Sequence, residues 1–352
     1  MLMRKAFVTV LITLLVLGAA GGFVGLHIWN RIHDPYKGYA GEEQFVDIPP
    51  GLSSITIGRR LVEAGVIENE IVFRVALRWT GRLRSLKAGE YRFDHPMSAV
   101  DVLDVIGRGD SFARRITFPE GLTILEMAKL YESRGFGAAR DFTEAARDAS
   151  LIKDLDPAAN DLEGYLFPDT YALPRRMPAS RLIAQMVGRF RASYTDDVKS
   201  RADERGMTSR EVVTLASLIE KETGTPGERP LVAAVYTNRL KIGMGLQADP
   251  TVVYALQKAG KYDGNIRKED LGLDSPYNTY KYRGLPPGPI ASPGKASLEA
   301  AVSPADVPYL YFVSRNDGTH AFAATLGEHN LNVRKFQVQF FRDARARAGG
   351  RR

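Results

Sequence analysis

The 352-residue chain has no cysteine, which excludes a disulfide framework and thiol chemistry. The compartment stays open on that count, because domains of ordinary size need no such staples. Histidine is sparse as well. Of the five, His27 and His33 lie in or beside an N-terminal apolar run, and His95, His320 and His329 are scattered. No H-x-x-x-H or carboxylate cluster therefore has metal-ligand spacing, and no metal or cofactor is expected. There is no G-x-S-x-G elbow. Ser292-Pro293-Gly294-Lys295 formally fits S-x-x-K, but Pro-Gly makes a turn where that chemistry needs a helix. Gly243-Met244-Gly245-Leu246-Gln247-Ala248 fits G-x-G-x-x-A, yet it follows a helical segment instead of a strand, so the dinucleotide reading fails its context test. Nucleic-acid motifs are missing too, and no nucleic-acid partner is expected.

What is present is an ordinary globular composition, 44% hydrophobic and 25% charged, with room for about two domains and an accessory segment. The net charge of +7 is unevenly placed. Residues 341–352 hold five arginines against one aspartate, which is +4 of the +7, and read as a solvated tail. At the other end, Ala6 to Trp29 (AFVTVLITLLVLGAAGGFVGLHIW) carries no ionisable group except His27 and is long enough to cross a hydrocarbon core. Arg4 and Lys5 precede it, so residues 1–5 are expected in the cytoplasm and everything after Asn30 outside it. Gly18-Ala19-Ala20 offers a signal-peptide cleavage reading. The apolar run continues well past that point, which favours an uncleaved single-pass anchor over residues 6–29.

Residues 30–43, polar with Pro35, Gly38 and Gly41, read as a short tether. Two stretches then echo each other at an offset of 70: IPPGLSSITIGRRLVEAGVI from Ile48 and FPEGLTILEMAKLYESRGFG from Phe118. Each predicts a β-prone lead-in, a Pro-x-Gly turn, a Ser or Thr cap, an amphipathic helix and a glycine stop. After the first copy come helical signals at Asn69 to Thr80, a strand at Gly89 to Phe93 and a helix near Ala99 to Ile106. Strand, two helices and strand is the plan of a small glycan-binding module of the LysM type, assigned to residues 44–110. A ligand-free α/β packing module fits the same pattern equally well. Residues 111–160 form the second, related strand-helix segment.

From residue 161 to 340 the texture changes to that of a mixed α/β domain, giving an α+β chain overall. Helices are predicted at Ser209 to Thr223 and Glu228 to Ile242. A long Pro-, Gly- and Tyr-rich stretch follows, SPYNTYKYRGLPPGPIASPG from Ser275 to Gly294. A patternless segment of that length is functional or disordered, and Tyr262, Tyr277, Tyr280 and Tyr282 argue against disorder. Aromatic and amide groups suit sugar faces and hydroxyls, so a saccharide groove is one reading; loop-pinning tyrosines are the other.

The first of these helices ends in LIEKET. Thr208 and Glu211 form a capping box that sets its start. At about 100° per residue from Val212, Glu220 falls near 80°, inside the apolar arc between Ala216 and Val213, and Glu222 falls near 280° on the other flank. The two therefore cannot act side by side. A carboxyl withdrawn from water is raised toward the range of a general acid; equally, Glu220 is a structural acid paired with an arginine such as Arg239. Helix position alone leaves the two readings level, and Glu222, in the last turn, is expected frayed out or salt-bridged.

Five separated motifs, EGYLFPDTY at Glu163, LASLIEKETG at Leu215, NRLKIGMGLQADPTVVYAL at Asn238, SPYNTYKYRGLPPGPIASPG at Ser275 and YLYFVSRNDGTHAF at Tyr309, together resemble the endolytic murein transglycosylases, the MltG or YceG-like proteins of bacteria. The resemblance implies an inner-membrane protein with a single N-terminal anchor, a LysM-like region and an extracytoplasmic domain that cuts nascent peptidoglycan strands, with peptidoglycan synthases as candidate partners. It implies that the first glutamate of E-K-E-T, Glu220, is the catalytic acid, and it does not carry Glu222 over. One acid suffices if the muramoyl C6 hydroxyl replaces water: Glu220 would protonate the glycosidic oxygen between N-acetylmuramic acid and N-acetylglucosamine, then take the C6 hydroxyl proton, leaving a 1,6-anhydro end. Substrate contacts are expected from Gln247, Asp249, Tyr277, Asn278, Thr279 and Tyr280, with Asp249 equally expected to cap the helix starting at Pro250. A muramidase-type hydrolase and a non-catalytic glycan-binding anchor of the cell-wall machinery are the alternatives.

Overall fold

The computed structural model of the chain describes residues 2–82, 85–175 and 177–342, so most of the arginine-rich tail lies outside the described residues. The chain divides into two compact units, Met1–Arg114 with Ala172–Arg175, and Arg115–Tyr171 with Arg176–Arg352.

The first unit begins with α1, Leu2–His33. Its segment Thr9–His33 has a mean hydropathy of 2.2 and is the one helix among the described residues long and apolar enough to span a membrane. Apolar side chains from Val10 to Trp29 are exposed, as expected of a helix with no protein partner there. The last turn differs. Ile32 is 1% exposed and belongs to the unit's core, Arg31 pairs with Glu68 at 2.5 Å, and the Trp29 ring meets Trp79 edge-on at 5.2 Å. The expected tether over residues 30–43 is corrected accordingly: it starts as helix, and its backbone is then paired. Tyr36 N donates to Met97 O at 3.0 Å and Gly38 N to Gly65 O at 2.8 Å. Backbone pairing needs no apolar side chains, which is why composition alone read this stretch as linker.

The rest of the unit is β1 (Gln44–Ile48), α2 (Ser54–Glu63), α3 (Glu70–Trp79), β2 (Gly89–Phe93) and α4 (Ala99–Arg108). Strands β1 and β2 pair antiparallel from Gln44 with Phe93 to Ile48 with Gly89. Ser53 caps α2 as predicted, and Asn69 and Ser98 cap α3 and α4, each accepting from backbone N–H groups two or three residues on. Val46, Ile48, Leu61, Phe73, Tyr91, Phe93, Leu103 and Ile106 fill the core. The order strand, helix, helix, strand matches the expected plan.

Strand β3 (Arg114–Thr117), which pairs with β4 (Thr170–Leu173), leads into α5 (Ile124–Ser133) and α6 (Ala139–Ala145); of the two strands, residues 115–117 and 170–171 are counted in the second unit. The repeat at offset 70 is visible in backbone detail. Gly51 and Gly121 have φ of +83° and +77°, and Gly65 and Gly135 have +70° and +69°, left-handed values that glycine adopts without penalty. Thr123 caps α5 as Ser53 caps α2. Of residues 111–160, expected as a separate segment, 115–160 lie in the same compact unit as residues 177 onward.

Then come α7 (Ala179–Ser193), α8 (Asp196–Glu204), α9 (Ser209–Glu222), α10 (Arg229–Lys241), α11 (Asp249–Lys258), α12 (Lys295–Val302), the antiparallel pair β5 (Tyr311–Ser314) and β6 (His320–Ala323), and α13 (Leu326–Val333). Helix α9 is central, packed against α8, α10, α11 and α12. Every residue from Val212 to Ile219 is buried, including Thr214 and Ser217. The helical wheel anticipated one apolar face; enclosure on all sides gives every face the same surroundings until the last turn. Residues 275–294 contain no helix or strand and run beside this centre, with Ile290 N donating to Ser217 Oγ at 3.1 Å.

Candidate active site

The capping box forms as predicted: Thr208 and Glu211 exchange side-chain to backbone bonds of 3.2 and 2.8 Å. That fixes the phase of α9 and sends Glu220 and Glu222 to different neighbours.

Glu220 is enclosed. Its side chain is 5% exposed; Oε1 accepts from Arg229 Nη2 at 3.1 Å and Oε2 from Gly294 N at 3.0 Å. Arg229 also reaches Glu120 Oε2 at 3.3 Å and Ser297 Oγ at 3.0 Å. Burial, and then the neighbouring Glu220 charge, push the Glu120 carboxyl upward. The arginine partner anticipated for Glu220, Arg239, is employed elsewhere. It donates to Leu310 O at 2.7 Å and Leu246 O at 2.6 Å, because it sits near the end of α10, while Arg229 opens that helix at the bend following α9.

Glu222 is the correction to the sequence reading. It neither frays nor pairs with a cation. Its Oε1 accepts from Tyr236 Oη at 2.5 Å, and Tyr236 is 1% exposed. Burial pushes Glu222 up to about 7; Asp249 adds to the rise, while the Tyr236 hydrogen bond, His320 and Arg239 oppose it. The residue keeps some exposed surface. On one side stands a second couple, His320 Nδ1 2.7 Å from Glu228 Oε2, with His320 N donating to Glu228 Oε1 at 2.8 Å. Burial raises Glu228, but its hydrogen bonds from His320 outweigh this and hold it below the usual range. Phe312 packs edge-on against both Tyr236 and His320, at 6.1 and 5.4 Å.

The expected substrate contacts divide three ways. Asp249 and Gln247 are exposed, and Asp249 accepts from Tyr280 Oη at 2.5 Å. Asp249 does not cap α11: it is the helix's first residue, and the cap position is Ala248, without a side-chain bond. Asn278 and Thr279 are 0% and 2% exposed, so as groove-lining candidates they are corrected. Asn278 Nδ2 donates to Leu271 O and Leu273 O at 3.0 and 2.8 Å, while its Oδ1 accepts from Tyr280 N at 3.0 Å. Thr279 Oγ1 accepts from Ala248 N at 3.0 Å and lies 2.9 Å from Thr251 Oγ1. Both side chains bind the loop's backbone or the start of α11 and have no surface to offer. Tyr277 belongs to another place, packed on Tyr254 with ring centroids 4.9 Å apart.

Polar groups thus gather at the end of α9 that Glu222 faces: the exposed Asp249 and the partly buried Tyr280 and His320. Sequence reasoning missed Tyr236, His320 and Glu228. Tyr236 looks like core on its helix, and His320 looks isolated until the β5–β6 turn brings it to Glu228. The one usable signal was its place in the THAF segment.

Comparison with known proteins gives consistent matches. The model of the YceG-like family matches residues 46–335. A protein named endolytic murein transglycosylase from Bacillus subtilis (strain 168) is 34% identical over 308 residues, 83% of this chain and 84% of that one. One of the same name from Streptococcus pneumoniae (strain ATCC BAA-255 / R6) is 30% identical across 94% of this chain and 65% of its own length. A crystal structure of a yceG-like protein from Listeria monocytogenes superposes with a TM-score of 0.56 at 32% identity, covering 83% of this chain and 99% of that one.

Proposed function

The chain belongs to the YceG-like family, and from that premise we propose that it is a lytic transglycosylase cutting within peptidoglycan glycan strands, with Glu222 as its acid. The observation that carries the choice of residue is what binds each carboxyl. Glu222 is raised to about 7 by burial, is anchored on one oxygen by Tyr236, and has Asp249 and His320 as charged or polar neighbours. Glu220 is bonded on both oxygens, by Arg229 Nη2 and Gly294 N, and its side chain is 5% exposed.

With Tyr236 on Oε1, Oε2 of Glu222 carries the proton. That proton passes to the glycosidic oxygen as the bond from the muramoyl C1 breaks. The muramoyl C6 hydroxyl oxygen then bonds to C1, and the Glu222 carboxylate takes the hydroxyl proton. One bond is exchanged for another, no water is consumed, and Glu222 ends protonated as it began. A pKa near the working pH suits a group that must give and then take a proton. The Tyr236 hydrogen bond steadies the carboxylate in between, and the joined Asp249 and Tyr280 side chains are the proposed sugar contacts beside it.

A second reading keeps Glu220 as the acid, as the family resemblance first implied; the observation in its favour is the adjoining Glu120 carboxyl, whose proton affinity Glu220 raises. Glu220→Gln and Glu222→Gln, each assayed on purified glycan strands with melting curves alongside, decide between them. Glu222→Gln should abolish cleavage in a folded protein. If it cuts normally while folded Glu220→Gln does not, the roles are exchanged. Fragments ending in anhydro sugars, one water lighter than reducing ends, support the transglycosylase over a muramidase. Helix α1 is read as a single-pass anchor with its N-terminus cytoplasmic, supported by its hydropathy and by Arg4 and Lys5 before it. The first unit's strand-helix-helix-strand order supports a LysM-like glycan contact, with cell-wall synthases as partners.

A further inference from the structure

Away from Glu222, a cavity of about 280 Å³ opens between the start of α5, the end of α6 and the end of α11. Its apolar lining comes from Ile124, Leu125, Ala146 and Tyr254, and its charged lining is Arg147 and Lys258 against Asp161, whose Oδ1 accepts from Glu163 N at 3.1 Å. Both cations are exposed, and among the described residues neither is in a salt bridge; Lys258 Nζ stands 5.3 Å from the Tyr277 ring centroid and 5.6 Å from that of Tyr254. At the back, Glu163 is 8% exposed, with Oε1 accepting from Ile124 N at 3.1 Å and Oε2 from Tyr254 Oη at 3.3 Å.

We infer that this cavity receives the peptide branch of the glycan substrate, a short peptide whose methyl groups meet Ile124, Leu125 and Ala146 and whose carboxylate meets Arg147 and Lys258. This rests on the substrate class proposed above. The volume is close to the lower bound, about 300 Å³, of small-ligand sites, which suits one or two small residues. Burial raises Glu163 to about 8, so at neutral pH it is uncharged and does not repel an incoming anion. The spacing fits as well. Helix α11 runs from Asp249, beside Glu222, to Lys258 at the cavity, a rise of about 14 Å at 1.5 Å per residue. A peptide extending about 3.5 Å per residue covers that distance in about four residues, so a branch on the sugar at Glu222 reaches the cations with its tail.

The test titrates the full-length protein in detergent micelles with a muramoyl disaccharide bearing a tetrapeptide and with the same disaccharide lacking it, read by calorimetry. Wild type should bind the peptide-bearing ligand at least about tenfold more tightly, the scale of one charge-assisted contact. Arg147→Gln/Lys258→Gln, at two exposed positions outside the Glu222 cluster, should bring the two ligands level while leaving affinity for the bare disaccharide unchanged. Equal affinities in wild type, or a preference that survives in the double variant, overturns the inference. Cleavage by Glu222→Gln is measured separately. Failure there removes the proposed acid without altering the titration, and a flat titration leaves the acid intact.

Discussion

Tyr236 donates to Glu222 across 2.5 Å, a single bond joining the middle of α10 to the last residue of α9. Because a donor favours the charged carboxylate, Tyr236→Phe should raise Glu222 above its value of about 7. The alkaline limb of the cleavage rate, where the acid is lost, should move to higher pH. The fold should lose about 1 kcal/mol. A pH–rate profile on glycan strands checks it, and an unmoved limb would disconnect Tyr236 from the reacting proton.

Two buried carboxyls make stability pH-dependent. Glu163 and Glu222 are raised from 4.5 to about 8 and about 7, so between these values and 4.5 the folded chain holds protons that the unfolded chain has released. Stability should therefore fall as pH rises from about 4.5 to 8. Glu163→Gln, neutral at every pH, should flatten that decline by a few kcal/mol, the scale of a shift of several pH units. Melting temperatures of both proteins at pH 5 and pH 8.5 test this; parallel curves would mean that Glu163 keeps an ordinary pKa.

Arg229 is the cation between Glu120 and Glu220. Arg229→Met should cost about 3 kcal/mol, since it strands a buried carboxylate. Combined with Glu220→Gln, the same change should cost less than it does alone, a coupling that a double-mutant cycle in denaturant resolves. Additive costs would show that the pair does not interact.

Asn278 makes three bonds within its own loop. Asn278→Ala should cost about 2 kcal/mol and speed proteolysis between residues 271 and 294. KM should rise more than kcat falls, because the loop carries Tyr280 to Asp249. Unchanged proteolysis would mean that the loop is held by other contacts.

Local chemistry was legible and distant partners were not. Ser53, Thr123 and Thr208 announce their helices because a cap acts within three residues. GEYRF is a strand where alternation placed it, and the offset of 70 survives down to glycine dihedrals. The wheel could not separate a structural from a catalytic Glu220 because it assumes one buried face, whereas α9 is enclosed through Ile219. What separates the two acids arrives from elsewhere in the chain: Arg229 and Gly294 for one, Tyr236 and Asp249 for the other. Asn278 read as a sugar ligand for the same reason, since an amide's partners cannot be seen until its loop has closed.

The docking of Ile32 in the first unit's core has a mechanical meaning. Helix α1 does not end in a leash; its last turn is shared with the folded unit, so the two turn and tilt as one piece. Were the apolar part of α1 held in a bilayer, rotating it about its own axis would sweep the first unit around like the bit on a key. Side-chain packing at Trp29, Arg31 and Ile32 would then decide which face of that unit looks along the membrane.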